Sequence, residues 1–151
     1  MQILSKLLDQ ACILLDREER SIDSIITRLT DQLTQCHPEI ATAGLMQKVV
    51  KDGFHTVCIG DGCAITHARC PSMGKTLMAV MRLAPELDLG AHDKKDIRLV
   101  FLLVGPQSSA SFHLKILSRL ARLLHTPSIR ETLFEVPTAE QFYNELDEKE
   151  Q

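Results

Sequence analysis

Four side chains of metal-ligand and nucleophile type crowd one short stretch. Cys58, Cys63, His67 and Cys70 fall within thirteen residues. Thiolates and imidazole are the groups that close around zinc, usually four at a time. C-x3-H-x2-C with a further cysteine five residues upstream supplies that number. Zinc ribbons, however, use close C-x2-C knuckles, and this stretch has none. Cys58 and Cys63 also stand among apolar residues, where cysteine packs as a small hydrophobe. Apart from metal, His67 has two further readings. It can be a satisfied core histidine, or it can be a nucleophile, since imidazole with a pKa of about 6.5 is largely free base near neutrality. Its setting, after the apolar Ala64 and Ile65 and before a segment broken by Pro71 and Gly74, predicts a strand end followed by a loop. Ligands of α/β sheets collect at such ends.

A second histidine has a suitable place. His113 is in helical phase with Leu117, Leu120 and Leu124, so it points inward from the start of a helix. Ser108, Ser109 and Ser111 crowd that start. A first turn offers free backbone N–H groups and the positive end of the helix dipole, which together favour anions. Two histidines and a helix N-terminus suit phosphate chemistry. One imidazole attacks phosphorus and holds the group as a phosphoramidate, while the second imidazole and the backbone N–H groups bind its oxygens. No metal or cofactor is needed for that.

The elements that must carry these residues read as one α/β domain, a mixed sheet flanked by helices on both faces. "SIDSIITRLTDQL" (21–33) predicts a helix capped by Ser21, with Asp23 in its first turn. "TAGLMQKVVKDG" (42–53) predicts a second helix stopped by Gly53. "HTVCIGDG" (55–62) reads as a strand entering a Gly-Asp-Gly turn. "TLMAVMRLA" (76–84) fits a strand or a helix equally. "DIRLVFLLVG" (96–105) is the clearest strand, apolar enough for both faces to be covered. "PQSSASFHLKILSRLARLLHTP" (106–127) is the clearest helix, with Pro127 beyond its end. "TAEQFYNELDEKE" predicts a last helix fraying into a charged tail, placing the domain at 1–146 and the tail at 147–151.

Composition excludes several classes. The 151 residues carry a net charge of −3 with scattered basic residues, so no basic stripe marks a nucleic-acid surface. One Tyr and no Trp leave little for stacking bases. No apolar run approaches the roughly 20 residues that span a bilayer. Five cysteines without a secretory leader suggest free thiols in a reducing cytoplasm.

"TVCIGDGCAITHAR" (56–69) resembles the phosphorylation-site signature S-T-G-I-G-x-G-x-A-I-P-H-A-R of enzyme IIA domains of the fructose/mannitol type, from the bacterial phosphoenolpyruvate–sugar phosphotransferase system. "DIRLVFLLVGPQSSASFHLKILSRLARLL" resembles that family's second block, a strand, a loop, then His-Leu at the head of a helix. The N-terminal segment is most similar to the nitrogen-regulatory branch. The resemblance implies that His67 accepts a phosphoryl group from a histidine phosphocarrier protein, HPr or its nitrogen-branch paralogue. It makes His113 the second active-site histidine, in contact with the phosphoryl group, and Lys51 a phosphoryl-binding residue; Ser111, at the helix start, is expected to bind the group as well. Lys51 stands sixteen positions before His67, where the family has arginine; lysine keeps the charge without the bidentate fork. The signature's Ser-Thr is Thr56-Val57 here, and its proline is Thr66. The expected function is a cytoplasmic phosphocarrier that feeds a IIB domain or signals to a regulatory target. The alternative is a small zinc module built on Cys58, Cys63, His67 and Cys70.

Overall fold

The longest apolar run of the sequence forms the centre of a sheet. In the computed structural model, which describes residues 3–43, 54–70 and 73–150, the strand β5 (Ile97–Pro106) is buried from Leu99 to Gly105. Side chains alternate between faces along a strand, so continuous burial requires cover on both. The other strands are β1 (Leu8–Arg17), β2 (His55–Gly60), β3 (Cys63–Cys70) and β4 (Leu77–Leu87). They lie in the order β1-β4-β5-β3-β2. β1 runs parallel to β4 and β3 parallel to β5, while the β4–β5 and β2–β3 pairs are antiparallel. The 76–84 segment is therefore a strand. β1, unforeseen in the sequence, closes one edge of the sheet, and β2 closes the other.

Five helices accompany the sheet among the described residues: α1 (Leu4–Leu7), α2 (Ile22–Cys36), α3 (Ala110–Leu124), α4 (Pro127–Glu135) and α5 (Ala139–Lys149). In α2 the Ser21 hydroxyl accepts from the Ser24 N–H at 3.1 Å, and Ile25, Ile26, Leu29 and Leu33 form the buried stripe. α3 buries His113, Ile116, Leu120, Leu123 and Leu124 along one side. Pro127 does follow α3, but it also opens α4 at its first turn, where its missing N–H costs nothing. A 3-10 turn (Pro38–Ala43) follows α2. The helix expected over 42–53 lies outside the described residues beyond that turn.

The C-terminus does not fray as expected. α5 continues to Lys149, and Glu150 is only 4% exposed. Its carboxylate accepts from the N–H groups of Ile3 (2.8 and 2.9 Å) and Leu4 (2.7 Å) and from Arg119 (3.1 Å). The charge expected in a solvated tail thus caps the first helix, whose leading N–H groups have no intrahelical partner.

The β2–β3 hairpin is what places the candidate site. Its turn, Gly60-Asp61-Gly62, has φ of +99°, +56° and +83°. Three successive left-handed residues explain two glycines and an aspartate there. Asp61 is held by Asp93, which accepts its N–H at 2.9 Å, and by Lys95 at 3.1 Å. With the turn fixed, residues equally far from Asp61 face each other: Thr56 with Thr66, and His55 with His67.

Candidate functional site

β3 continues through Cys70, so His67 lies within a strand and not at a strand end as expected. It pairs with His55 on β2 and with Leu103 on β5. Its neighbour Thr66 points to the opposite face of the sheet, where Thr56 Oγ1 donates to Thr66 Oγ1 at 3.0 Å. That cross-strand bond secures the register beside His67 at the position where the family signature has proline.

The strand hands His67 to α3. His67 Nδ1 lies 3.0 Å from His113 Nε2, with ring centroids 5.1 Å apart and planes at 48°. His113 comes from the first turn of α3 and is 5% exposed. Its other nitrogen, Nδ1, is buried without a partner. Burial pushes the His113 pKa down to about 4, helped by His67 and by Arg69. Burial also holds His67 below the usual imidazole value, with the His55 and Arg69 charges adding to that. Both rings are therefore neutral near pH 7.

One hydrogen bond joins two neutral imidazoles. It engages His67 Nδ1 and leaves Nε2 free. That nitrogen is nucleophilic in the tautomer where His67 Nδ1–H donates to His113 Nε2 and Nε2 keeps its lone pair. His113 then carries its own proton on the unpartnered Nδ1. The resemblance implied that His113 touches the phosphoryl group. In the structure its Nε2 is hydrogen-bonded to His67 Nδ1, so it also orients the His67 ring.

Two further residues of the site escaped the sequence reading. Arg69 is on β3 two residues from His67 and so on the same face; its Nη1 donates to the Gln107 carbonyl at 3.3 Å, in the loop that leads to α3. His55 is exposed opposite His67, with ring centroids 6.0 Å apart. The signal for His55 was present in the sequence, since a hairpin centred on Asp61 puts the residues six before and six after it side by side. Ser111 is exposed in the first turn of α3. Lys51 lies outside the described residues.

The zinc alternative fails on the pleat. Along β3, Cys63 and His67 point to one face and Cys70 to the other, and Cys63 and His67 are four residues, or about 13 Å, apart along the strand. Burial also raises the thiols of Cys58 and Cys63, the latter to about 12, as for cysteines packed among apolar side chains. Among the described residues no group of three or more His, Cys, Asp or Glu gathers around a common point.

Around His67 the surface is apolar. A groove of about 300 Å³ runs between the hairpin and α3, lined by Val57, Ile59, Ile65, Leu114 and Leu117 with His67 itself. Val57 is 50% and Leu114 67% exposed, so the His67 ring opens onto greasy side chains and not into a closed pocket. Such a surface suits a protein partner better than a small metabolite. No described helix is long and apolar enough to cross a membrane.

The sequence profile of the family described as "Phosphoenolpyruvate-dependent sugar phosphotransferase system, EIIA 2" matches residues 6–149. A nitrogen regulatory protein of Bradyrhizobium diazoefficiens is 35% identical over 96 residues, which span 64% of this chain and 63% of that protein. The fructose-specific EIIA component of Haloferax volcanii is 32% identical over 106 residues, 70% of this chain and 69% of that one. Among solved structures, the nitrogen regulatory protein IIA-Ntr of Neisseria meningitidis superposes with a TM-score of 0.77 at 27% identity, covering 94% of this chain and 97% of the other.

Proposed function

The chain belongs to the phosphoenolpyruvate-dependent sugar phosphotransferase system EIIA 2 family, a phosphotransfer component, and on that premise we propose that His67 Nε2 is its phosphoryl acceptor. The observation that carries the reading is the 3.0 Å bond from His67 Nδ1 to His113 Nε2, which leaves Nε2 free and its ring neutral. The donor is a phosphohistidine carrier protein of the HPr type, docking on the apolar surface around His67.

The transfer balances simply. The lone pair of His67 Nε2 attacks phosphorus, the bond between phosphorus and the donor's ring nitrogen breaks, and that nitrogen leaves with the electron pair. Attack makes the His67 ring cationic, with its proton on Nδ1. His113 Nε2 accepts the hydrogen bond from that proton and steadies the charge. Because His113 is itself neutral, the proton has a place to be shared without creating two adjacent cations. Onward transfer runs the same steps in reverse and is easy, since the ring is a good leaving group. Arg69 and the first turn of α3, with Ser111, supply positive potential for the phosphoryl oxygens. Lys51 is assigned to the same task by its place in the sequence.

The protein works in the cytoplasm, where the carrier would meet it. Nitrogen regulatory relatives favour a role in which the phosphorylated and free forms bind regulatory targets differently. The fructose-specific relative supports a second reading, delivery to a IIB domain. Incubating the protein with phosphoenolpyruvate, enzyme I and the phosphocarrier, then measuring intact mass, tests the acceptor. The expected product carries one phosphoryl group that is lost in dilute acid and survives dilute alkali. A label that survives acid would refute phosphohistidine. Adding a IIB domain to the labelled protein separates the two fates.

A further inference from the structure

We propose that His55 is a phosphoryl-binding residue, donating a charged N–H to an oxygen of the group carried by His67. The inference rests on the phosphocarrier reading above and adds a ligand outside the matched signature, which begins at Thr56.

The geometry comes from the hairpin. His55 and His67 are direct cross-strand partners on one face of an antiparallel pair, where Cβ atoms approach to about 5 Å. Their ring centroids are 6.0 Å apart at an interplanar angle of 41°. The rings are neighbours, yet no hydrogen bond joins them, so the N–H of His55 is not committed to His67. His67 turns Nδ1 toward His113 on α3. Its Nε2 edge is thus turned away from the buried histidine, and His55, exposed on the edge strand, is the other imidazole in reach. An oxygen on phosphorus there can accept a charge-assisted N–H···O bond of about 2.8 Å from it.

The electrostatics change sign with the reaction. A proton on His55 disfavours a second one on His67 before transfer and faces a phosphoryl dianion, favourably, after it. The other titratable and charged groups on this row are His67 and Arg69 of β3 and His113 of α3. Of these, His113 is neutral, and Arg69 keeps its charge throughout.

The test uses the full chain with labelled histidine rings, phosphorylated chemically with phosphoramidate so that no carrier protein is needed. Ring NMR should show His55 holding its proton to higher pH in the phosphorylated form than in the free form. In transfer from the phosphocarrier, His55→Ala should shift the equilibrium toward the donor by roughly threefold to tenfold at mildly acid pH, with the deficit vanishing in alkali. His55→Lys should restore the equilibrium and flatten its pH dependence. Identical His55 titration in the two forms, with His67 labelled, would overturn this inference alone. Absence of any label on His67 from either donor would overturn the functional reading and this inference with it. The wild-type titration decides the matter even if a variant fails to fold.

Discussion

Two polar side chains are buried against the same face of the sheet, and they are treated in opposite ways. Arg82 on β4 is 3% exposed and has every nitrogen engaged. It binds Asp16 through Nε and Nη2 at 2.8 and 2.9 Å, and Nη1 donates to the carbonyls of Leu133 and Val136 at 3.1 and 2.7 Å. His113 is 5% exposed, has one partner, and keeps a buried nitrogen with none. A fully paired buried group stitches elements together, here β1, β4 and the end of α4. A half-paired one costs stability and persists where the chemistry requires it. The difference separates the buried polar cluster that holds the fold from the one proposed to perform the reaction.

The sharpest way to break that contrast is at the acceptor. His67→Ala should abolish phosphorylation completely while leaving the melting temperature close to wild type, since the removed ring is half-exposed. Labelling of a folded His67→Ala chain would show that the half-paired pair is not the reaction centre. Arg82→Met should do the converse. It strips two carbonyls and Asp16 of their donor inside the fold, and should cost about 3 kcal/mol of stability. At a temperature where this variant stays folded, its labelling rate should match wild type. Denaturant melts alongside the phosphotransfer assay check both. His113→Ala sits between them. With the ring of His67 unanchored and its Nδ1 proton unshared, transfer should slow about 10²-fold, still onto His67. Transfer at the wild-type rate would remove His113 from the mechanism.

How much of this was legible in the sequence follows from what each feature depends on. β5 was legible because burial on both faces demands an unbroken apolar run. The inward turn of His113 was legible because helical phase is local. The zinc alternative could not be settled in the sequence because ligand spacing along the chain says nothing about the pleat, which sends Cys63 and Cys70 to opposite faces. His55 and Arg69 were missed because their roles depend on which strand lies beside which, set by the hairpin turn and by the order β5-β3-β2. Glu150 looked like tail charge because its partners, the first N–H groups of α1, are at the far end of the chain. Arg82 gave no signal at all, since a charge in an apolar run reads as a fault until the carbonyls it binds are known.

The smallest effect is the most discriminating, because it separates the two clusters by pH alone. His113 titrates near 4 when folded, against 6.5 for an ordinary imidazole. Between those values the unfolded chain binds a proton that the folded chain refuses, so stability must fall as pH falls through this window. On those two values the loss is about 2 kcal/mol from about pH 7 to about pH 5. His67, held low by burial and neighbouring charge, adds in the same direction. Asp16 behaves differently. The hydrogen bond from Arg82 holds its carboxyl below the ordinary 3.8, so its contribution is present above that value and is lost only as pH falls below it. The Arg82 cluster is therefore silent in the window where the histidines act. Denaturant melts of wild type and His113→Leu at stepped pH read the difference. The variant, with no buried imidazole to protonate, should lose much of the decline between about pH 6.5 and about pH 4 and keep the steeper fall below it. An unchanged decline in His113→Leu would mean that the buried histidine is not the strained group, and the contrast between a paired and a half-paired cluster would fail with it.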